Sequence, residues 1–85
     1  MYDNSEYVPS EISKDRAINI HHIVTREDRI ENLIAVTGEE HLKYGEIKSE
    51  MVFLLKTHRR FLRNRNIPFD NEWFLKWIKH YANIN

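Results

Sequence analysis

Cysteine is absent from the chain and glycine is scarce, and each absence excludes certain functions. Without cysteine among its 85 residues, the protein can form neither a disulfide framework nor a thiolate metal site, and we expect it in a reducing compartment, the cytoplasm. Its two glycines, Gly38 and Gly45, provide little material for a phosphate-binding loop or a nucleophile elbow. We therefore expect a protein that is not an enzyme.

Long apolar runs are also missing. The longest one, Met51 to Leu55, is far shorter than the roughly 20 residues that a membrane-spanning helix requires. We expect a soluble protein with no membrane partner. The chain length favours one domain. Residues 1–9 are polar and end in Pro9, which predicts a flexible N-terminal arm before a single helical domain over residues 10–85.

The formal net charge of zero hides an asymmetry between the two parts of the chain. Residues 1–50 contain eleven acidic and six basic residues, whereas residues 51–85 contain two acidic and seven basic ones. Three explanations are open: the oppositely charged parts pack together, two copies associate head to tail, or a basic face is reserved for an anionic partner.

Helical spacing of apolar residues predicts an all-α fold, a small bundle of three or four helices with a long central helix. The helices are expected over residues 10–23, 26–36, 38–63 and 71–82. The first is ambiguous, because Ile18 and Ile20 also alternate as they would in a strand. Two segments, 25–28 and 37–40, have the pattern of a capping box. Asp70 is expected to cap the last helix, with Phe69 and Phe74 forming a hydrophobic staple.

The central helix carries a heptad-like seam. Its members are spaced three and four residues apart: Tyr44, Ile47, Met51, Leu54, His58 and Phe61. About two and a half heptads are too few to define a coiled coil, so the seam indicates the core-facing side of a bundle helix. A homodimer in which two seams meet is the alternative, and His58 would make such a dimer sensitive to pH.

A cluster of cations lies next to this seam, near the C-terminal end of the predicted helix. It is the feature of the sequence that most strongly indicates a binding function. It consists of Lys56, Arg59, Arg60, Arg63 and Arg65. On a helix, residues 56, 59, 60 and 63 share one face. Guanidinium groups bind carboxylates and phosphates through paired hydrogen bonds, so an acidic protein surface and nucleic-acid backbone are both suitable ligands. A solvated basic face that complements the helix dipole is the simpler alternative.

Two further patterns bear on function. A helix-turn-helix with its turn at Gly38 would bring Glu39 and Glu40 toward phosphates, which disfavours a conventional recognition helix. The last helix is rich in aromatic residues, and Trp73 and Trp77 are candidate hydrophobic anchors for a partner, although tryptophans in so small a domain usually form its core.

No cofactor or metal is expected. The five histidines include no Glu-x-x-His or His-x-x-x-His pair, the spacings typical of helical metal sites.

The sequence as a whole predicts a small regulatory protein, an adaptor or an inhibitor of the kind that phages and mobile elements encode. We expect it to engage an acidic protein surface through the basic cluster and the aromatic helix. The alternative is an accessory protein that contacts nucleic-acid backbone through the same cluster.

Overall fold

The computed structural model describes residues 8–17, 19–44 and 47–83 of the chain. The regular elements are β1 (Asn19–His22), β2 (Leu33–Val36), α1 (Gly38–Tyr44), α2 (Met51–Asn64) and α3 (Asn71–Ala82). Short 3-10 turns at Ile30–Asn32 and Lys48–Glu50 precede β2 and α2. The prediction of an all-α bundle is therefore wrong, because the described residues combine three helices with a two-stranded antiparallel sheet. Most of the predicted N-terminal arm, residues 1–7, lies outside the described residues.

The two strands replace two predicted helices. In the sheet Asn19 lies opposite Val36, and His22 lies opposite Leu33, so the helices expected over 10–23 and 26–36 are not formed. The segment Leu33–Val36 is a run of apolar, mostly branched side chains, and Ile34, Ala35 and Val36 are all buried. Such a run suits a strand that is covered on both faces. The alternation noted around Ile20 was the correct signal; Ile18 lies outside the described residues.

Asn32 organises the loop between the strands, where a helix start was expected. Its side-chain oxygen accepts hydrogen bonds from the backbone N–H groups of Val24, at 2.9 Å, and Thr25, at 3.4 Å. Its amide nitrogen donates to the carbonyls of Thr25 and Glu27. The Thr25 hydroxyl accepts from the Glu27 N–H, which is a local turn and not the predicted capping box over 25–28. Because Asn32 is fully buried, these bonds fix the loop from inside.

The predicted long helix over 38–63 is divided into two. α1 ends at Tyr44, and Ile47 is extended, with φ −98° and ψ 113°, before α2 begins at Met51. The start of α1 was predicted correctly: the Thr37 hydroxyl accepts a hydrogen bond from the Glu40 N–H, and the Glu40 carboxylate accepts one from the Thr37 N–H. This reciprocal pair is the capping box.

The end of α2 is a Schellman motif. Asn66 adopts the left-handed conformation, with φ 57°, and its N–H donates to the Arg63 carbonyl. The Ile67 N–H donates to the Leu62 carbonyl at 3.0 Å, which completes the motif. From the sequence, Asn64 and Asn66 before Pro68, which cannot continue a helix, predict the end of this helix. The structure confirms that end, because α2 stops at Asn64.

α3 lies where the sequence predicts it. The Asp70 side chain accepts hydrogen bonds from the N–H groups of Glu72, at 3.0 Å, and Trp73, at 3.3 Å. The rings of Phe69 and Phe74 meet edge to face with centroids 5.4 Å apart, so the predicted staple is confirmed.

The core joins the sheet to α2 and α3. Its buried apolar residues are Ile23, Ile34, Val36, Met51, Leu54, Leu55, Leu62, Trp73 and Phe74. The α2 part of the predicted seam faces this core, where His58 is buried as well. His58 is thus not at the surface, where a second copy of the chain would contact it.

Candidate binding surface

The outer face of α2 carries three of the five cations of the predicted basic cluster. Because Leu54, Leu55 and Leu62 are buried on the inner face, the helical period places Lys56, Arg60 and Arg63 on the opposite side, and all three are exposed. We call these three residues the cationic face. From Lys56 to Arg63 they extend along α2 by about 10 Å, at about 1.5 Å per residue.

The other two members of the predicted cluster are held by neighbouring side chains. Arg59 lies at the flank of α2, and its Nε donates a hydrogen bond to Asn71 Oδ1 at 2.8 Å, at the start of α3. Arg65 follows the last residue of α2, and its guanidinium carbon lies 4.8 Å from the centre of the Phe61 ring. This contact places the Arg65 charge on the opposite flank from Arg59.

None of the five cations forms an ion pair within the described part of the chain. Arg29 differs sharply from them, because it forms ion pairs with Glu31 at 2.9 Å, with Asp70 at 3.6 Å and with Glu27 at 4.0 Å. Its hydrogen bond with Glu31 raises the pKa of Arg29 above its usual range. Arg29 serves the fold, whereas the cationic face is exposed to solvent.

Three acids from the acidic part of the chain are used inside the fold. Glu11 lies 2.7 Å from His58 Nδ1, and both side chains are almost wholly buried. The Glu31 carboxylate accepts hydrogen bonds from Arg29 and from the Asp70 N–H, and Glu40 accepts from Ser10 and from Thr37. Within the described residues, therefore, these acids do not neutralise the cationic face.

The pKa values of two of these acids reflect their hydrogen bonds. Burial alone would raise the pKa of Glu31, but the hydrogen bonds from the Asp70 N–H and Arg29 lower it below its ordinary value. Burial also acts against ionisation of Glu40, yet hydrogen bonds from Ser10, Ser13 and Thr37 lower its pKa. Both carboxylates are thus held in the charged form as acceptors at neutral pH.

The two predicted tryptophan anchors are not equivalent. Trp73 is 7% exposed and belongs to the core, where its ring lies 5.4 Å from the Arg29 guanidinium. Trp77 is half-buried and contacts the rings of Trp73, His80 and Tyr81. Only Trp77 presents part of its ring at the surface of α3.

Two concave regions accompany these side chains. A groove of about 460 Å³ lies between residues 11–14 and α2, where Phe53, Arg60 and Arg65 line it. A wider region of about 760 Å³ lies beside β1 and includes His21 and His41, whose rings meet edge to face. Among the described residues, no group of three or more His, Cys, Asp or Glu side chains is arranged to hold a metal ion.

The groove includes two residues, Phe53 and Lys14, that the sequence does not indicate as part of a binding surface. Phe53 is 40% exposed although it lies within an apolar run, and Lys14, more than thirty residues before α2, lines the same groove. Phe53 lies off the seam spacing, and this was the available signal. No local pattern connects Lys14 with α2.

In the part of the chain that the structure describes, no helix is both long enough and apolar enough to cross a membrane.

Comparisons with protein-family models, with curated protein sequences and with solved structures each found no match.

Proposed function

We propose that this protein is a non-enzymatic binding protein, an adaptor or an inhibitor, that engages an acidic protein surface through the cationic face of α2. One observation carries the proposal: Lys56, Arg60 and Arg63 are exposed together on the outer side of α2, and no described carboxylate forms an ion pair with them. We also place the protein in the cytoplasm, as its lack of cysteine suggests.

Helix α3 would contribute to the same interaction at its exposed side. Leu75 is 44% exposed and Trp77 is half-buried, so both offer apolar surface to a partner. Partly exposed aromatic residues are common among the residues that dominate protein interfaces. Trp73, in contrast, would act by supporting the core beneath this surface.

Nucleic-acid backbone is the second candidate partner, and the spacing of the guanidinium groups favours it. Arg60 and Arg63 are neighbours on the outer side of α2, and each can bind a phosphate through two hydrogen bonds. With Lys56 as a third contact, three phosphates would be bound. The logarithm of the binding constant for duplex DNA would then fall with the logarithm of the salt concentration with a slope of about −2.7.

Fluorescence anisotropy would separate the two candidates. Wild-type protein is titrated into a labelled peptide of alternating Glu and Ser residues, and into single- and double-stranded oligonucleotides, at about 50 and about 200 mM salt. We expect binding to the peptide at the lower salt concentration and weaker binding to the oligonucleotides. Stronger binding to the oligonucleotides, with the steep slope, would replace the proposal by its alternative.

Charge-matched variants test whether the cationic face is responsible. Replacing all three of its residues by Ala should weaken peptide binding by about 3- to 150-fold, since each exposed charge pair contributes about 0.2–1 kcal/mol and three are lost. The control replaces Arg16, Arg26 and Lys48 by Ala, which removes the same charge from exposed positions outside α2 and α3. Equal losses in both variants would show that net charge, and not the cationic face, governs binding.

A further inference from the structure

The groove beside the cationic face, between residues 11–14 and α2, combines apolar and cationic walls. We infer that it binds a segment of an acidic protein in which an aromatic or aliphatic side chain stands next to carboxylates. This inference deepens the proposed function and rests on it, because Arg60 belongs both to the cationic face and to the lining of the groove.

The apolar part of the groove is formed by Ile12, Phe53 and Phe61. Ile12 and Phe61 are half-buried and pack against the core, whereas Phe53 is 40% exposed. The Phe53 ring contacts the Tyr44 ring, with centroids 5.4 Å apart, so one side of Phe53 is already packed. An apolar side chain inserted into a groove of about 460 Å³ would cover the remaining surface of Phe53, which is favourable.

The cationic part of the groove is formed mainly by Arg60 and Arg65. The contact between Arg65 and the Phe61 ring holds one guanidinium beside the apolar wall. The second guanidinium is that of Arg60, which lies on α2 and also lines the groove. Glu11 is the single acid among the described lining residues. Its carboxylate is already engaged by His58 and by the Ala35 N–H. Two guanidinium groups near an apolar wall match carboxylates that flank an apolar side chain.

A peptide fits this groove better than a nucleobase does. Proteins that bind single strands commonly stack bases on the open faces of aromatic rings. Here the Arg65 guanidinium covers one face of Phe61, and Phe53 already contacts Tyr44. The groove therefore offers apolar walls for a side chain rather than a stacking platform for bases.

The test compares two labelled acidic peptides by fluorescence anisotropy. Both have the same Glu and Asp residues; one carries a central Phe-Leu pair, and the other carries Ala-Ala at those positions. Wild-type protein should bind the Phe-Leu peptide about tenfold more tightly. Phe53→Ala, which removes the apolar wall, and Asn64→Trp, which fills the groove, should each abolish this preference. Leu42→Ala removes an exposed apolar side chain from α1, away from the groove, and should leave the preference intact. Circular dichroism verifies that every variant is folded.

Each other result would overturn the inference in a recognisable way. Equal affinity of wild-type protein for the two peptides would reject the groove as an apolar site while leaving the proposed function in place. A preference that survives in Phe53→Ala and Asn64→Trp would place the apolar contact elsewhere. Single-stranded oligonucleotide binding that is lost in Asn64→Trp would assign the groove to nucleic acid. Binding of neither peptide would reject the proposed function together with this inference.

Discussion

Replacing Glu11 by Ala should destabilise the fold by about 3–5 kcal/mol, because it leaves His58 Nδ1 and the Ala35 N–H buried without their hydrogen-bond partner. Glu11 Oε1 lies 2.7 Å from His58 Nδ1, and the two side chains are 3% and 2% exposed. The other carboxylate oxygen accepts a hydrogen bond from the Ala35 N–H at 3.3 Å. Since a domain has a total stability of about 5–15 kcal/mol, the loss would be a large fraction of it.

The arrangement of protons in this pair predicts a milder effect for Glu11→Gln. His58 Nε2 lies 2.6 Å from the Ile30 carbonyl, which only accepts, so Nε2 carries a proton. A Gln side chain at position 11 would donate from its amide nitrogen to His58 Nδ1 and would accept from the Ala35 N–H. In this variant every buried polar group keeps a hydrogen-bond partner, with His58 neutral. We therefore expect Glu11→Gln to lower the free energy of unfolding by only about 1 kcal/mol.

Urea denaturation, followed by circular dichroism and by tryptophan fluorescence, measures these differences. Asp15→Ala is the matched control, because it removes an exposed acid from the same segment and should change stability by less than about 0.5 kcal/mol. A double-mutant cycle of Glu11→Ala with His58→Ala should give a coupling energy of about 1–3 kcal/mol. If Glu11→Ala costs less than about 1 kcal/mol, or if the two substitutions are additive, the buried pair does not stabilise the fold as argued.

Three further predictions concern the hairpin loop, the end of α2 and the acid limb of stability. Asn32→Ala should cost about 2–4 kcal/mol in urea denaturation, since it leaves several buried backbone groups without partners. Asn66→Gly should be neutral or stabilise by up to about 1 kcal/mol, because the left-handed conformation favours glycine; a loss beyond about 1 kcal/mol would contradict this assignment. Glu31 has a lowered folded-state pKa, so its contribution is present above its ordinary value of 4.5 and is lost as pH falls through the folded pKa. Glu31→Gln should therefore flatten the pH dependence of stability below about pH 4.5, and an unchanged acid limb would show that its hydrogen bonds contribute nothing.

The parts of the fold that the sequence predicts correctly depend on neighbouring residues. The cap at Asp70, the staple of Phe69 on Phe74 and the break before Pro68 all act within a few positions of each other. The capping box at residues 37–40 is equally local. The α3 range and the start of α1 were for this reason accessible without a structure.

The hairpin was missed because its determinants are distant or ambiguous. Asn32 bonds to the backbone of Val24, eight residues earlier, and no helical or strand periodicity encodes such a contact. The Leu33–Val36 run is too short for its spacing to separate a buried strand from a helix. Burial in the tertiary structure makes this run a strand. The hydrogen bond from the Asp70 N–H to the Glu31 carboxylate joins residues 39 positions apart, and no local pattern predicts such a contact.

Helical spacing alone predicts that Lys56, Arg60 and Arg63 share one face of α2. It does not predict that, among the described residues, no acid forms an ion pair with them. The sequence counts equal numbers of acidic and basic residues, which is as compatible with mutual neutralisation as with a free basic surface. The fold separates these alternatives: Glu11, Glu31 and Glu40 are drawn inward by partners other than the cationic face. Burial removes these acids from the surface while the basic side chains of α2 stay in solvent, so the field outside α2 is more positive than the net charge implies. This local field, and not the overall isoelectric point, is the property that an acidic partner would encounter.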